Sequence, residues 1–325
     1  MTIEDIGIVI IGRNEGERLI RCLKSAKMCA SVIVYVDSGS TDRSIENAKE
    51  IGAHVVELDP TSPFTAARAR NEGYMAIRKL KPDISLIQFV DGDCCLAPQW
   101  LEVARAFLTE HGDVAIACGR RRERHPESSI YNYLCDEEWN TPIGESQQCG
   151  GDALMRVDAF EAVGGFRSDV TAGEEPELCL RLRKLGWKIW RLNEEMTEHD
   201  AAMTRFRQWW LRAVRSGYGL ANITWLHRRT PADGWFRMLT RAIFWGGILP
   251  IFIGVGALFH PVVLLGFLVY VAQIVRLRLR AGSNLRHAWL RAYLMTVTKI
   301  AEFLGILRFF WSAIREKNTN LIEYK

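Results

Sequence analysis

Acidic residues are scarce in the last 125 positions of this 325-residue chain: residues 201–325 carry 18 Lys and Arg but only 4 Asp and Glu. Residues 1–200 carry 24 basic and 34 acidic groups, so a formal net charge of +4 hides an acidic front and a basic back. From 242 to 275 there is no charged residue at all. A basic back alone suits nucleic acid or an anionic lipid surface; this long apolar run argues for lipid and against nucleic acid. Cysteine pairing signals are also missing. The 8 cysteines all precede residue 180, two of them adjacent (Cys94 and Cys95), and no C-x-x-C occurs. That excludes the usual zinc spacing and a small disulfide scaffold, leaving reduced thiols as the expectation. The start of the chain has no basic stretch followed by an apolar one, so no signal peptide is expected there. No G-x-G-x-x-G follows the first apolar run, which disfavours a dinucleotide oxidoreductase.

What is present reads as alternating strands and helices. Residues 6–11, 31–36 and 53–58 are apolar, β-branched runs, and residues 17–30 and 44–51 between them have helical periodicity. The order β-α-β-α-β implies a parallel sheet with right-handed crossovers. A further helix opens near Ala66, and Arg68 or Arg70 is placed to meet an anion at that end or to lie on a solvated face. Residues 98–109 read as a helix and 114–118 as a strand, with the basic run Arg120 to Arg124 expected as a solvated face. Residues 187–192 read as another strand.

Leu86-Ile87-Gln88-Phe89-Val90-Asp91-Gly92-Asp93 is the stretch on which chemistry converges. Such a run suits a buried central strand, and the carboxyl ends of strands are where open α/β sheets bind ligands. Two carboxylates on a tight turn offer hard oxygens to Mg²⁺ or Mn²⁺, which can hold a diphosphate. Asp37 is a second acid at a strand end. Gly150-Gly151 permits close backbone approach to a ligand. Glu174, Glu175 and Glu177 occupy the first turn of a helix, where acids complement the dipole; a general base is the alternative role for them.

In order, Ile8-Val9-Ile10-Ile11-Gly12-Arg13-Asn14-Glu15, Val36-Asp37-Ser38-Gly39-Ser40-Thr41-Asp42, Ala69-Arg70-Asn71-Glu72-Gly73, Asp91-Gly92-Asp93, Gly150-Gly151-Asp152-Ala153 and Gly173-Glu174-Glu175-Pro176-Glu177-Leu178 resemble the family 2 glycosyltransferases. The resemblance implies a GT-A fold over residues 1–200: an α/β, Rossmann-like, mostly parallel sheet with helices on both faces. It implies a nucleotide-sugar donor, with Asn14, Glu15, Asp37, Arg70, Asp91, Gly150, Gly151 and Asp152 around it. Asp37 would face the base, Asp91 the ribose, and Arg70 the diphosphate or sugar. Asp93, with Asp91 and His199, would hold Mg²⁺ or Mn²⁺. Glu175 would be the general base of an inverting transfer. The family usually has Glu-Asp where this chain has Glu174-Glu175, so Glu174 is the other candidate. Gln208-Trp209-Trp210-Leu211-Arg212 does not match the Gln-x-x-Arg-Trp of processive members, which implies one sugar per encounter.

Behind that domain the expectation is a C-terminal helical membrane module. Residues 201–241 form an amphipathic, interfacial helical region. Residues 242–275 form a membrane-embedded helical hairpin or re-entrant pair, turning at His260-Pro261. Residues 276–325 form a basic amphipathic helix and tail. Arg228, Arg229, Arg237 and Arg241 flank one end of the apolar run and Arg276, Arg278 and Arg280 the other, which places both flanks and the catalytic domain on the cytoplasmic side. The expected partners are therefore a nucleotide sugar, a lipid or glycan acceptor and an anionic membrane. A catalytically weak sugar-nucleotide-binding scaffold and a sugar nucleotidyltransferase are the rival functions. The latter lacks its Gly-rich basic loop after the first strand.

Overall fold

The computed structural model describes residues 3–228, 234–281 and 287–315. Arg229 and the tail from 316 therefore lie outside the described residues. The chain divides into two compact units, residues 1–202 and 203–325.

In the first unit the elements run β1 (Ile3–Gly12), α1 (Glu17–Lys27), β2 (Ala30–Asp37), α2 (Ser44–Ile51), β3 (His54–Glu57), α3 (Ala66–Leu80), β4 (Leu86–Asp91) and β5 (Cys94–Leu96). Then follow α4 (Trp100–Glu110), β6 (Val114–Glu123), α5 (Ile130–Glu138), β7 (Gly144–Glu145), β8 (Ala153–Arg156), α6 (Val157–Ala162), α7 (Glu174–Lys184) and β9 (Lys188–His199). They build a nine-stranded sheet in the order β3-β2-β1-β4-β8-β6-β9-β5, with β7 beside β9.

Strands β3, β2, β1 and β4 are parallel. Consecutive residues of β1, β2 and β4 are buried, among them Ile8, Val9 and Ile10, Val34, Tyr35 and Val36, and Ile87, Gln88 and Phe89. Burial on both faces is what continuous apolar strands require, because a sheet covered by helices on each side exposes neither face to water. The one polar residue among these, Gln88, satisfies its amide on the Phe89 carbonyl and the Trp100 indole.

Beyond β4 the sheet departs from the simple pattern. The short strand β8 inserts antiparallel between β4 and β6. The sequence signalled a glycine-rich loop there and no strand, because four residues are too few to show a period. Strand β6 also runs past Cys118 to Glu123, and β9 past Leu192 to His199. The arginine run expected to be a solvated face is thus a strand paired with β9, with register shifts between Cys118 and Arg120 and between Arg120 and Arg121. Such irregularities re-aim side chains, and here they turn Arg121 inward.

The second unit consists of α8 (Phe206–Leu226), α9 (Trp235–Ile243), a π-helical turn (Phe244–Ile248), α10 (Leu249–Phe259), a 3₁₀ segment (Pro261–Phe267), α11 (Leu268–Arg280) and α12 (Ala288–Ile314). Val214, Tyr218, Ala221, Leu239, Ala242, Ala301, Ile306 and Phe309 form its core. Two continuous segments, Trp235–Phe259 of 25 residues and Pro261–Arg280 of 20, are long and apolar enough to cross a membrane. Leu239 and Ala242 of the first segment join the core, but most of the apolar surface of the two is not covered: Leu258 and Phe259 are more than four-fifths exposed, and no residue of α11 is buried. The chain leaves helical geometry at His260, which is extended and precedes a proline.

Candidate active site

Sheet register gathers the motifs. Gly12 pairs with Asp37, and Ile11 with Asp91, so the carboxyl ends of β1, β2 and β4 lie side by side. The loops that follow are tied together by side chains. Asn14, at φ 55°, accepts from the Thr41 amide at 2.7 Å, and its own amide donates to Ser40 Oγ at 2.9 Å. Asparagine tolerates that left-handed backbone better than most residues. Asp37 is buried; its carboxylate accepts from the Tyr35 hydroxyl and the amides of Gly39 and Ser40. Glu15 is buried and pairs with Arg18 at 2.8 Å. Asn14, Glu15 and Asp37 therefore hold the shape of this end of the sheet.

At the end of β4 the acids and arginines interlock. Arg70, 3 % exposed, donates Nη1 to Glu174 at 2.7 Å and Nη2 to Asp91 at 2.9 Å. Arg121 reaches Asp152 at 2.7 Å and Asp91 at 3.5 Å. Burial alone would raise the Asp91 carboxyl; Arg70 and Arg121 outweigh it and hold the group below the ordinary carboxylate range. Asp152 is fully buried. Besides Arg121 it accepts from the Asp91 amide at 3.0 Å and the Thr197 hydroxyl at 2.8 Å, so both its oxygens serve the protein. The φ of Gly151 is +87°, and a Cβ there would stand 3.4 to 3.7 Å from Arg121, Arg70 and Asp91. The bare backbone at Gly151 is what leaves the space over this cluster open. Gly150, also at positive φ, is exposed beside it. The guanidinium Nε atoms of Arg70 and Arg121 are buried without a hydrogen-bond partner.

Asp93 and His199 are brought together by pairing of β5 with β9, which sets Cys94 opposite His199. His199 Nε2 lies 3.2 Å from Asp93 Oδ2, and Nδ1 lies 3.7 Å from the buried Glu123. Burial would push the imidazolium down, but Asp93 and Glu123 together raise it to about 9. Carboxylate, imidazole and the Cys94 thiol present ligand atoms within 4.8 Å of one another. Oxygen and imidazole donors suit a divalent cation such as Mn²⁺, and Glu123 behind His199 is the outer partner that metal-ligating imidazoles commonly have. The Asp91 oxygens lie on the two arginines, Oδ1 on Arg70 and Oδ2 on Arg121.

The two candidate bases have separate surroundings. Glu174 is neutralised by Arg70. Glu175 is 6 % exposed and has no ion pair among the described residues; its Oε1 accepts from the Cys149 amide and the Cys179 thiol. Arg121, Trp139 and Thr197 had no local signal in the sequence. Arg121 lies over the Trp139 ring at 5.6 Å, and that ring meets His199 edge-on at 4.8 Å. These contacts depend on how β6 pairs with β9, which no short motif encodes.

The model of glycosyl transferase family 2 matches residues 7–167. The succinoglycan biosynthesis protein ExoA of Rhizobium meliloti is 27 % identical over 170 residues, 49 % of this chain and 50 % of ExoA. This chain therefore spans about half the length of that relative. The glycosyltransferase AglE of Haloferax volcanii is 24 % identical over 214 residues, 62 % of this chain and 68 % of AglE. Among solved structures, the mannosyltransferase PcManGT from Pyrobaculum calidifontis, in complex with GDP-Man and Mn²⁺, superposes with a TM-score of 0.61 at 17 % identity, covering 95 % of this chain and 87 % of that one. Residues 1–349 of S. aureus TarS give a TM-score of 0.52 at 13 % identity, with 98 % and 93 % coverage. These likenesses show the fold, the GT-A architecture.

Proposed function

Residues 7–167 belong to glycosyltransferase family 2, and from that premise we propose that the chain is an inverting, metal-dependent glycosyltransferase. It moves a sugar from a nucleoside-diphosphate donor to a hydroxyl of a membrane-associated lipid or lipid-linked glycan. The observation that carries this reading is the juxtaposition, beside the carboxyl end of β4, of an Asp93–His199 pair, the buried Arg70, the partly buried Arg121 and a buried carboxylate, Glu175, that has no ion pair among the described residues.

Asp93 and His199 would hold the divalent ion, which when bound would supply positive charge against a departing diphosphate. PcManGT carries Mn²⁺ beside a sugar nucleotide, which supports the same class of donor and Mn²⁺ or Mg²⁺ here. The open Nε donors of Arg70 and Arg121 point to anion binding next to it. Arg70 neutralises Glu174, so Glu175 is the carboxylate left to take the acceptor proton. Low solvent exposure raises the strength of that interaction. The exposed apolar helices of the second unit and their arginine flanks support a membrane-bound acceptor and a cytoplasmic catalytic face.

The test is nucleotide-induced thermal stabilisation of the detergent-purified chain, set beside transfer. UDP, GDP, CMP and dTDP nucleotides are compared with Mn²⁺ or EDTA, and a specific ligand raises the melting temperature by mass action. Glu175→Gln should keep that stabilisation and lower transfer by about 10² to 10⁴-fold. Asp93→Ala should lose the metal-dependent part. Equal loss of binding and transfer in Glu175→Gln would reject the base assignment. No stabilisation by any nucleotide would reject the transferase.

A further inference from the structure

The proposed transfer uses Glu175 but gives no role to the two buried thiols beside it, Cys149 and Cys179. Glu175 and Cys179 stand four residues apart on α7, so they share one helix face. Cys149, from the loop before β8, closes on the same point. The two sulfurs are 3.8 Å apart, Cys179 Sγ is 3.1 Å from Glu175 Oε1, and all three groups present ligand atoms within 4.8 Å of one another. Two helix ligands at i and i+4 with a third from a separate segment is a familiar way to build a metal site.

We propose that Cys149, Glu175 and Cys179 form a binding site for a soft divalent cation of zinc's class, and that its occupancy withdraws Glu175 from the acceptor. The second half rests on Glu175 being the base. Three observations carry the first half. Thiolates about 2.3 Å from a tetrahedral centre are about 3.8 Å apart, which is the separation found. The carboxylate need move by only about half an ångström to join them. Glu175 is also a buried anion with no ion pair among the described residues, in contrast to Glu174 beside it. A buried uncompensated carboxylate is costly, and a cation offsets that cost. Finally, the Cys149 amide donates to Glu175 and orients it, as an outer-shell partner does.

Burial pushes the Cys149 thiol up to about 11 and that of Cys179 well above the ordinary range. Both are protonated until a cation displaces their protons, so binding releases two protons and leaves two thiolates and one carboxylate on the ion. Two thiols against the single Cys94 thiol beside Asp93 and His199 make this the softer of the two sites.

The experiment titrates the full-length, detergent-purified chain with cobalt(II), a spectroscopic stand-in for zinc. A thiolate-to-cobalt charge-transfer band should saturate at one equivalent and be displaced by zinc. It should vanish in Cys149→Ser and in Cys179→Ser and persist in Cys94→Ser and Cys95→Ser. X-ray absorption of the zinc-loaded wild type needs no variant and should count two sulfur ligands. No thiolate band, a band that survives both substitutions, or any other sulfur count would overturn the site. Zinc should inhibit transfer at saturating Mn²⁺, with relief by a zinc-selective chelator. Binding with two sulfurs but no inhibition would leave the site standing and overturn Glu175 as the base.

Discussion

Replacing Asp152 should unravel the end of β4 rather than merely weaken ligand contact. Its carboxylate is fully buried and holds three groups: the Arg121 guanidinium at 2.7 Å, the Thr197 hydroxyl at 2.8 Å and the Asp91 amide at 3.0 Å. Asp152→Ala strands the Arg121 guanidinium, whose side chain is only 13 % exposed, and loss of a partner by a buried cation costs about 3–5 kcal/mol as an upper bound. The orphaned amide and hydroxyl cost about 1–3 kcal/mol each when left dry. These contributions overlap, because Asp91 at 3.5 Å still shares Arg121 and water enters the vacated space. The expected loss is about 4 kcal/mol. Asp152→Asn keeps an acceptor and the volume but not the charge, and should lose about half as much. Hydrogen exchange at the amides of β4 and β8 under mild denaturant reads this unit alone, without contribution from the second. The Asp152→Asn, Arg121→Gln double variant should lose less than the sum of the singles by about 1.5 kcal/mol or more, since the pair is a buried, charge-assisted contact. A loss below about 1 kcal/mol for Asp152→Ala, or strict additivity in the cycle, would refute the reasoning.

Two glycine substitutions probe the two units separately. Gly151→Ala forces an L side chain to φ +87° and sets a methyl 3.4 Å from Arg121. It should cost about 1–2 kcal/mol by the same exchange measurement and lower transfer in proportion to the crowding of the arginine cluster. Gly217→Ala would put a Cβ 2.0 Å from the backbone carbonyl of Glu302, where α8 crosses α12 with no side chain to yield. Destabilisation of about 3 kcal/mol is expected, read as loss of protease resistance in the second unit with the first unit's exchange pattern unchanged.

The parts of the fold that sequence disclosed are those whose physics is local. Residues 6–11, 31–36 and 86–90 read as strands because a sheet covered on both faces needs uninterrupted apolar runs, and each run stops beside an acid or glycine. Asp37, Asp91 and Asp93 stood out because a carboxylate at the abrupt end of an apolar element is conspicuous, and Glu174 and Glu175 because they open a helix as an acidic cluster. Arg121 was hidden. It sits among Arg120, Arg122 and Arg124, and only the register shifts between β6 and β9 select it for the interior. Its cross-strand partner is Thr197, and both donate to Asp152, so three residues from distant stretches define one contact. Cys149 and Cys179 were equally silent: thirty positions apart, they meet only because α7 packs beside the loop that enters β8. In each case local pattern names the element and long-range register names the neighbours.

The second unit allows the same logic to be carried to a prediction. The uncharged run, divided at His260-Pro261, gives pieces of about 18 and 14 residues, short for a span of roughly 20. Helix propagation through Trp235–Ile243 and Arg276–Arg280 extends them to 25 and 20 residues. At about 1.5 Å per α-helical residue and about 2.0 Å per residue in the 3₁₀ stretch these reach some 37 and 34 Å, against a hydrocarbon thickness of about 30 Å. Arg237 and Arg241 lie at the outset of the first segment and Arg276, Arg278 and Arg280 at the close of the second, so in a hairpin all five share one face of the bilayer. His260, at the turn, would then reach the opposite face. All 8 native cysteines precede residue 180, so the second unit is a cysteine-free background for labelling. His260→Cys in sealed vesicles of known orientation should react with a membrane-impermeant maleimide from the face opposite the catalytic unit. Reaction from the catalytic side in excess of that of the wild-type chain, whose Cys95 is partly exposed, would overturn the membrane placement. Protection from both sides, with labelling restored in detergent, would replace the spanning hairpin by a re-entrant pair.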